Sequence, residues 1–265
     1  MEDKLHLVWY FKKIFSRYIV ARAIWRVVKP FILTPKFLHH YINFKNKSPE
    51  HPRFELQIKD IIPILGDWNS RESFDEHYVY HIAWAIRKVR ELNPKIIADF
   101  SSSHYFVAVV SSFTKVDSFN YRKSRLVLDN VNQYVNDLTS LKMQNASLDF
   151  ITCMHVIEHV GLGRYGDCLD YDGDKRVANE LDRVLSIGGT LLLVLPVGEK
   201  ARICFNAHRI YTYELVLSMF RSFNLIEFAY ISDKPDHAYL KRYQDSSIVG
   251  HDFYGCGCFH LVKKH

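Results

Sequence analysis

Glycine is scarce in this chain: there are 11 in 265 residues, and none between Gly66 and Gly161. That gap excludes a glycine-rich phosphate or dinucleotide loop of the G-x-G-x-x-G type from the first half of the chain. Cysteine is equally sparse. The five present, Cys153, Cys168, Cys204, Cys256 and Cys258, are odd in number and show no paired framework. With no signal peptide in view, a reducing, cytoplasmic setting is expected. Cys256-Gly257-Cys258 supplies only half of a soft-metal site, a plain strand is the simpler reading, and no metal is expected. No stretch approaches the ~20 apolar residues of a membrane span, because charges recur every few residues. Internal repeats and low-complexity tracts are missing too. With 48% hydrophobic residues, the composition fits one large α/β domain plus an extension.

Positive charge is confined to one end. The net charge is +6, yet residues 1–48 hold ten Lys or Arg against Glu2 and Asp3, a net of +8, so the rest of the chain sums to −2. A nucleic-acid enzyme spreads basic surface around its cleft, and the balance beyond residue 48 offers none, so no nucleic-acid partner is expected. Within the extension, Phe11, Ile14, Phe15 and Tyr18 form one apolar stripe, and Val20, Ile24, Val27 and Val28 form a second that a bend near Tyr18 to Val20 would separate. Pro30 stops the second segment. Lying on an anionic membrane surface, with Trp9 and Trp25 at the interface, suits this pattern. Packing on its own domain or on a second subunit suits it equally, and both readings stay open.

Ser48-Pro49-Glu50-His51-Pro52 reads as a linker, giving a basic amphipathic helical extension over 1–48 and an α/β domain over 49–265. The periodicity predicts a helix from Phe74 to Leu92, capped by Ser73 or Asp75, with Tyr78, Ile82, Ile86 and Val89 as its apolar stripe. Strands are predicted at Lys95–Ser101, Val116–Asn120, Leu126–Asp129, Leu148–Met154, Thr190–Leu195, Leu225–Ile231 and Phe253–Val262, with helices at Lys175–Leu185 and Thr212–Phe223. Such alternation implies a mostly parallel sheet with helices on both faces.

The most informative stretch is Leu148 to Pro196: a buried strand, His155-Val156-Ile157-Glu158-His159, an acidic loop, a helix, Gly188-Gly189 and a second strand. Ligands in such βαβ sheets sit at the carboxyl ends of the strands. The stretch resembles the region after the fourth strand of class I S-adenosylmethionine-dependent methyltransferases, including Arg183-Val184-Leu185-Ser186-Ile187-Gly188-Gly189. A closer resemblance is to the family called domain of unknown function 268. It is carried by Phe74-Asp75-Glu76-His77-Tyr78, His159-Val160-Gly161-Leu162-Gly163-Arg164-Tyr165-Gly166-Asp167, Phe205-Asn206-Ala207-His208-Arg209 and Tyr254-Gly255-Cys256-Gly257-Cys258, and that family has no settled activity. The fold this implies is a Rossmann-like methyltransferase sheet whose last strand runs antiparallel.

By the same resemblance S-adenosylmethionine is the expected cofactor, held by Asp99 and the turn Ser101-Ser102, by Asn120 after the second strand, by Asp137 at the adenine, and by His155. Two departures stand out. Serines replace the turn glycines, at a cost of order ~1 kcal/mol in strained backbone, and Asn120 has one accepting oxygen where an acid has two. For catalysis the candidates are His159 and His208 as rival bases, with Asp170. Arg164, Asp172, Arg202, Asn206 and Arg209 are candidates for the acceptor.

Blander readings stand beside these: His155 as a satisfied structural histidine, Asp174 as a helix cap with its neighbouring carboxylates solvated, and the Asn206 segment as exposed surface before a cap at Thr212. His-x-x-Glu-His is also the inverted zinc-peptidase motif, but the strand before it and Gly161 after it leave little room for the helix a zinc site needs. Asp170 to Asp174 resemble a calcium loop without its first acid or its glutamate at position twelve. The expected activity is O-methylation of a sugar or another small polar acceptor in glycan biosynthesis, by a cytoplasmic protein that is peripheral on the inner face of a membrane if the extension lies on one. The alternative is a degenerate, non-catalytic binding protein. Either way, the hollow bounded by Ser101–His104 and His155–His159 must be open, with neither Phe100 nor Tyr105 filling it.

Overall fold

A computed structural model describes residues 34–47, 49, 53–65, 74–234 and 239–265. Its contacts divide the chain into two units, Met1–Ser73 and Phe74–His265. In the first, a helix covers residues 34–46 and one 3-10 turn covers Ile58–Asp60. The stripes expected over residues 9–29, with Trp9 and Trp25, lie outside the described residues, as do linker residues 48 and 50–52 and the capping candidate Ser73. Among the described residues no helix is long and apolar enough to cross a membrane.

The second unit opens with helix α1, Glu76–Leu92, capped by Asp75, whose carboxylate accepts the Tyr78 N–H at 3.1 Å. Asn93 in the left-handed region (φ 47°) ends it, and Pro94 prevents continuation. Then follow β1 (Ile96–Phe100), α2 (His104–Val110), β2 (Lys115–Asn120), β3 (Val131–Val135) and β4 (Leu148–Met154). The remainder is α3 (Gly173–Val184), β5 (Leu185–Val197), β6 (Arg202–Cys204), β7 (His208–Ile210), α4 (Tyr213–Met219), β8 (Phe223–Ile231), β9 (Leu240–Lys241) and β10 (Gly255–Lys263).

Among the described residues, eight strands form one sheet in the order β3-β2-β1-β4-β5-β10-β8-β9. The first five are parallel, and β10 runs antiparallel between β5 and β8. β6 and β7 make a separate small ribbon. Helices cover both faces: Val177, Leu181 and Val184 of α3 and Val216 of α4 pack on one, and Trp84, Ala85 and Val89 of α1 with Phe106 and Val110 of α2 on the other. Burial on both faces accounts for the near-continuous apolar runs of β4 and β5.

Three expectations are corrected. Residues 126–129 are not a strand; β3 lies at Val131–Val135, where Val131 pairs with Val116. Asn130, at φ 61°, makes the turn into that ladder and accepts the Val116 N–H at 2.9 Å, while Val127 stands 91% exposed. Pairing register overrode the local apolar run. On α1 the buried face is His81, Trp84, Ala85, Lys88 and Val89 rather than the stripe through Tyr78, Ile82 and Ile86. Two polar members belong to it because they find partners: His81 Nδ1 donates to His77 O at 2.6 Å, and Lys88 Nζ meets Glu227 at 3.0 Å and Glu91 at 2.9 Å. Asp174 does not cap α3. It lies inside the helix, and its carboxylate accepts the Tyr211 hydroxyl at 3.0 Å.

Candidate functional site

The carboxyl ends of β1, β2, β3 and β4 open onto one hollow. At the end of β1, Asp99 is fully buried; its oxygens accept the Thr152 hydroxyl at 2.7 Å and the Ser102 N–H at 3.2 Å. Burial pushes its pKa up to about 6. Ser101 then takes the left-handed conformation (φ 54°) normally reserved for glycine, held there by its N–H and its hydroxyl, both donated to Phe119 O at 3.0 Å. Two hydrogen bonds offset a backbone penalty of about 1–2 kcal/mol. Ser103 accepts the Tyr105 N–H at 3.2 Å and starts α2. Phe100 is wholly in the core and Tyr105 is 80% exposed, so neither fills the hollow.

After β2, the Asn120 amide donates to Ser118 Oγ at 3.0 Å, which leaves Oδ1 as its acceptor. Asp137 Oδ1 accepts the N–H and hydroxyl of Thr139 at 2.9 and 2.7 Å. Following β4, His155 sits at φ 56° and a 3-10 turn, Ile157–His159, takes the place of the helix a zinc peptidase would need. Its Nδ1 lies 2.9 Å from Glu158 Oε1 and its Nε2 3.5 Å from Cys256 Sγ. Burial disfavours the His155 charge, but Cys256 and Glu158 outweigh it and raise the pKa.

His159 is oriented by the chain around it. The carbonyl of Ala207 can only accept, so His159 Nδ1, 2.6 Å away, carries the proton and Nε2 keeps the lone pair. Burial lowers the pKa of His208, whose ring lies 6.3 Å from that of His159.

Two adjoining cavities result, of about 560 and 380 Å³. Both are lined by Ser101, His155, His159 and Tyr165. Asn120, Asp137, Leu138 and Asp170 belong to the larger, along with the basic loop Arg122, Lys123 and Arg125. The smaller adds Ser102, Tyr78, Glu158, Arg164, His208 and Tyr254.

Several predicted site residues are elsewhere. Asp99 lines neither cavity and acts on the site through the Ser102 turn. Arg209 is buried and donates to the carbonyls of Val160 (2.6 Å), Asp170 (3.2 Å) and Tyr171 (3.0 Å), clamping the acidic loop from below. Arg202 stacks on Phe253 at 3.4 Å and donates to Lys200 O at 3.1 Å. Asn206 is a turn residue at φ 62°. Asp172 pairs with Lys175 at 2.8 Å in solvent, whereas Asp170 does line the larger cavity and pairs there with Arg176 at 2.8 Å.

Sequence reasoning passed over α1 altogether as a source of site residues. His77 and Tyr78 stack on His155 at ring distances of 6.2 and 5.3 Å, and His81 meets it edge-on at 4.9 Å. Burial, with help from His155, pushes His77 down to about 4. The available signal was the histidine pair at i and i+4, which share one face of a helix. Asp167 was passed over as well: its carboxylate accepts the N–H groups of Gly161 (2.7 Å), Tyr165 (3.1 Å) and Gly163 (3.3 Å) and shapes the loop.

The family described as "Caenorhabditis protein of unknown function, DUF268" matches residues 98–251. The chain belongs to that family. Those residues run from β1 almost to β10 and include the walls of both cavities except Tyr78 and Tyr254. No curated protein matches the chain. Among solved structures, a Burkholderia thailandensis 1,6-didemethyltoxoflavin-N1-methyltransferase, with bound 1,6-didemethyltoxoflavin and S-adenosylhomocysteine, is similar at a TM-score of 0.53 and 11% identity, over 70% of this chain and 79% of that one. SAM-dependent methyltransferases from Methanosarcina mazei (TM-score 0.45, 13% identity, 67% and 97% covered) and Thermotoga maritima (TM-score 0.47, 15% identity, 71% and 92% covered) are similar too. At 11% identity the likeness to the first of these is one of fold alone: a Rossmann-like sheet of the class I methyltransferase type, with its last strand antiparallel.

Proposed function

We propose that this DUF268 protein is an S-adenosylmethionine-dependent methyltransferase acting on a hydroxyl oxygen, with a sugar as the acceptor class. The observation that carries this reading is the larger cavity, about 560 Å³, which stands open above Ser101 at the strand ends although its turn has no glycine. Its volume falls in the usual range for small-ligand sites, roughly 300–1,000 Å³. The Ser101 turn, Asn120 Oδ1 and Asp137 would hold S-adenosylmethionine, and the basic loop of Arg122, Lys123 and Arg125 complements a carboxylate. When bound, the cofactor supplies an electrophilic methyl group.

The chain's own part is positioning and proton removal. His159 lines both cavities; with its Nδ1–H fixed on Ala207 O, its Nε2 is the atom that takes the proton of the acceptor hydroxyl, and Glu158 Oε1, 3.8 Å from it, steadies the imidazolium. The smaller cavity offers Tyr78, Tyr165 and Tyr254 as faces for a sugar ring, with Glu158, Arg164 and His208 to bond its hydroxyls. We further propose residues 1–48 as a separate basic extension that rests on the anionic inner face of a membrane; equal liposome binding by the full chain and by a version lacking 1–48 would exclude that.

Calorimetry with S-adenosylhomocysteine tests the cofactor assignment. Saturable binding is expected, and no heat at millimolar ligand with folded protein would leave only a non-catalytic binding role. His159→Ala should lower turnover by roughly 10²–10⁴-fold while leaving cofactor affinity near wild type; equal loss of both would remove His159 as the base.

A further inference from the structure

Beside the smaller cavity, three side chains from distant parts of the chain converge. His77 comes from the first turn of α1, His155 from the end of β4 and Cys256 from the start of β10. One ligand atom from each lies within 4.8 Å of the others. We propose that His77, His155 and Cys256 bind a divalent metal ion of the zinc type. Nothing in this depends on what the larger cavity holds.

Ligand type, spacing and outer partners all bear on it. Two imidazoles and a thiolate are zinc-class ligands, with Zn–N near ~2.0–2.1 Å and Zn–S near ~2.3 Å. A tetrahedral ion at those lengths holds its ligand atoms roughly 3.4–3.6 Å apart. The His155 Nε2 to Cys256 Sγ separation is already 3.5 Å; closing the triangle asks only His77, on the first turn of its helix, to move inward. His155 is oriented as metal-bound histidines are, its other nitrogen held on a carboxylate, Glu158 Oε1 at 2.9 Å. Metal would replace the proton between His155 Nε2 and Cys256 Sγ, so binding releases protons and strengthens as pH rises.

An independent observation comes from His81. Its Nδ1 donates to His77 O, so Nε2 carries the lone pair, and that atom is buried with no hydrogen-bond partner among the described residues. Its ring lies 4.9 Å from that of His155, and the residue is completely buried. An unpaired acceptor in such a place costs about 1–3 kcal/mol, which a metal-bound water would offset; His81 itself lies outside the three-residue cluster. The cluster departs from the half-site that Cys256-Gly257-Cys258 suggested: the partners of Cys256 come from α1 and β4.

The test is direct metal binding to the full chain. Chelator-treated protein titrated with Co²⁺ should take up one equivalent and show a thiolate-to-cobalt charge-transfer band, and Zn²⁺ should displace it. His77→Ala and Cys256→Ser, checked for folding by circular dichroism, should each lose the tight site, whereas His208→Ala, next to the cluster but outside it, should keep it. Glu158→Gln should weaken Zn²⁺ by roughly 10–100-fold, as loss of an outer partner does. Uptake well below one equivalent by folded wild-type protein would overturn the proposal. So would a bound cobalt without the thiolate band, or full affinity in both His77→Ala and Cys256→Ser.

Discussion

Helix α1 brings His77, Tyr78 and His81 to the site, and one buried carboxylate ties it to the sheet. Glu227 of β8 accepts Trp84 Nε1 at 3.1 Å, pairs with Lys88 at 3.0 Å and receives Arg242 at 2.7 Å through Nε. The residue is 2% exposed. Burial alone would raise its pKa; the bonds from Arg242, Lys88 and Trp84 more than reverse this and bring it down to about 2 from 4.5. At ~1.36 kcal/mol per unit, that depression makes the ionised carboxylate worth about 3 kcal/mol to the folded state. Because the folded-state pKa is the lower one, this stability is complete above about pH 4.5 and is lost as pH falls toward about 2. Glu227→Gln should therefore lower the urea midpoint at neutral pH by the equivalent of about 3 kcal/mol, near the range of about 3–5 kcal/mol for breaking a buried pair. The gap between variant and wild type should narrow as pH drops through that window. Equal midpoints at pH 7, or a gap that persists unchanged down to pH 2, would refute the reasoning.

Three further outcomes follow from the geometry. Arg209→Ala removes the donor to three carbonyls and leaves Asp174, 3.7 Å away, without its buried cation, so equilibrium unfolding should show a loss of about 3–5 kcal/mol; an unchanged midpoint with weaker substrate binding would restore Arg209 as a substrate contact. Gly161→Ala places a Cβ 2.1 Å from Asp170 O at φ +82°, so amide exchange in the loop 161–170 should rise, and wild-type protection there would count against the clamp. Asp99, raised to about 6, favours the folded state more when protonated, so its contribution is full below about pH 4 and lost as pH rises past about 6. Asp99→Asn should flatten the stability profile across that window, and an unaltered slope would contradict the assignment.

Much of the sheet was legible because β1, β4, β5 and β8 are apolar runs bounded by turn residues, and both faces of a parallel sheet need such runs; β2 is more polar, with Val116 and Phe119 as its buried apolar residues. The third strand was not, since Val131-Asn132-Gln133-Tyr134-Val135 is more polar than the run before it and is a strand through its pairing with β2. Ser101, Asn120, Asp137, His155 and His159, which line the cavities, were legible through the resemblance to class I methyltransferases, whose cofactor contacts follow the strand ends. Asp99 and Arg209 carry the same chemistry in sequence but are buried beneath the walls they support, a distinction that depends on depth, which spacing does not encode. The α1 face was hidden for a related reason: His81 and Lys88 read as solvent-facing, and only partners far along the chain make their burial tolerable.

Methyl transfer by this chain requires the hollow above Ser101 to receive an adenosyl ligand. Diffraction from crystals of the full chain grown with saturating S-adenosylhomocysteine tests this most directly. Density is expected for the ligand across the Ser101 turn, its ribose at Asn120 and its adenine at Asp137; an empty hollow at saturating ligand, or the ligand bound elsewhere on the chain, would contradict the cofactor assignment.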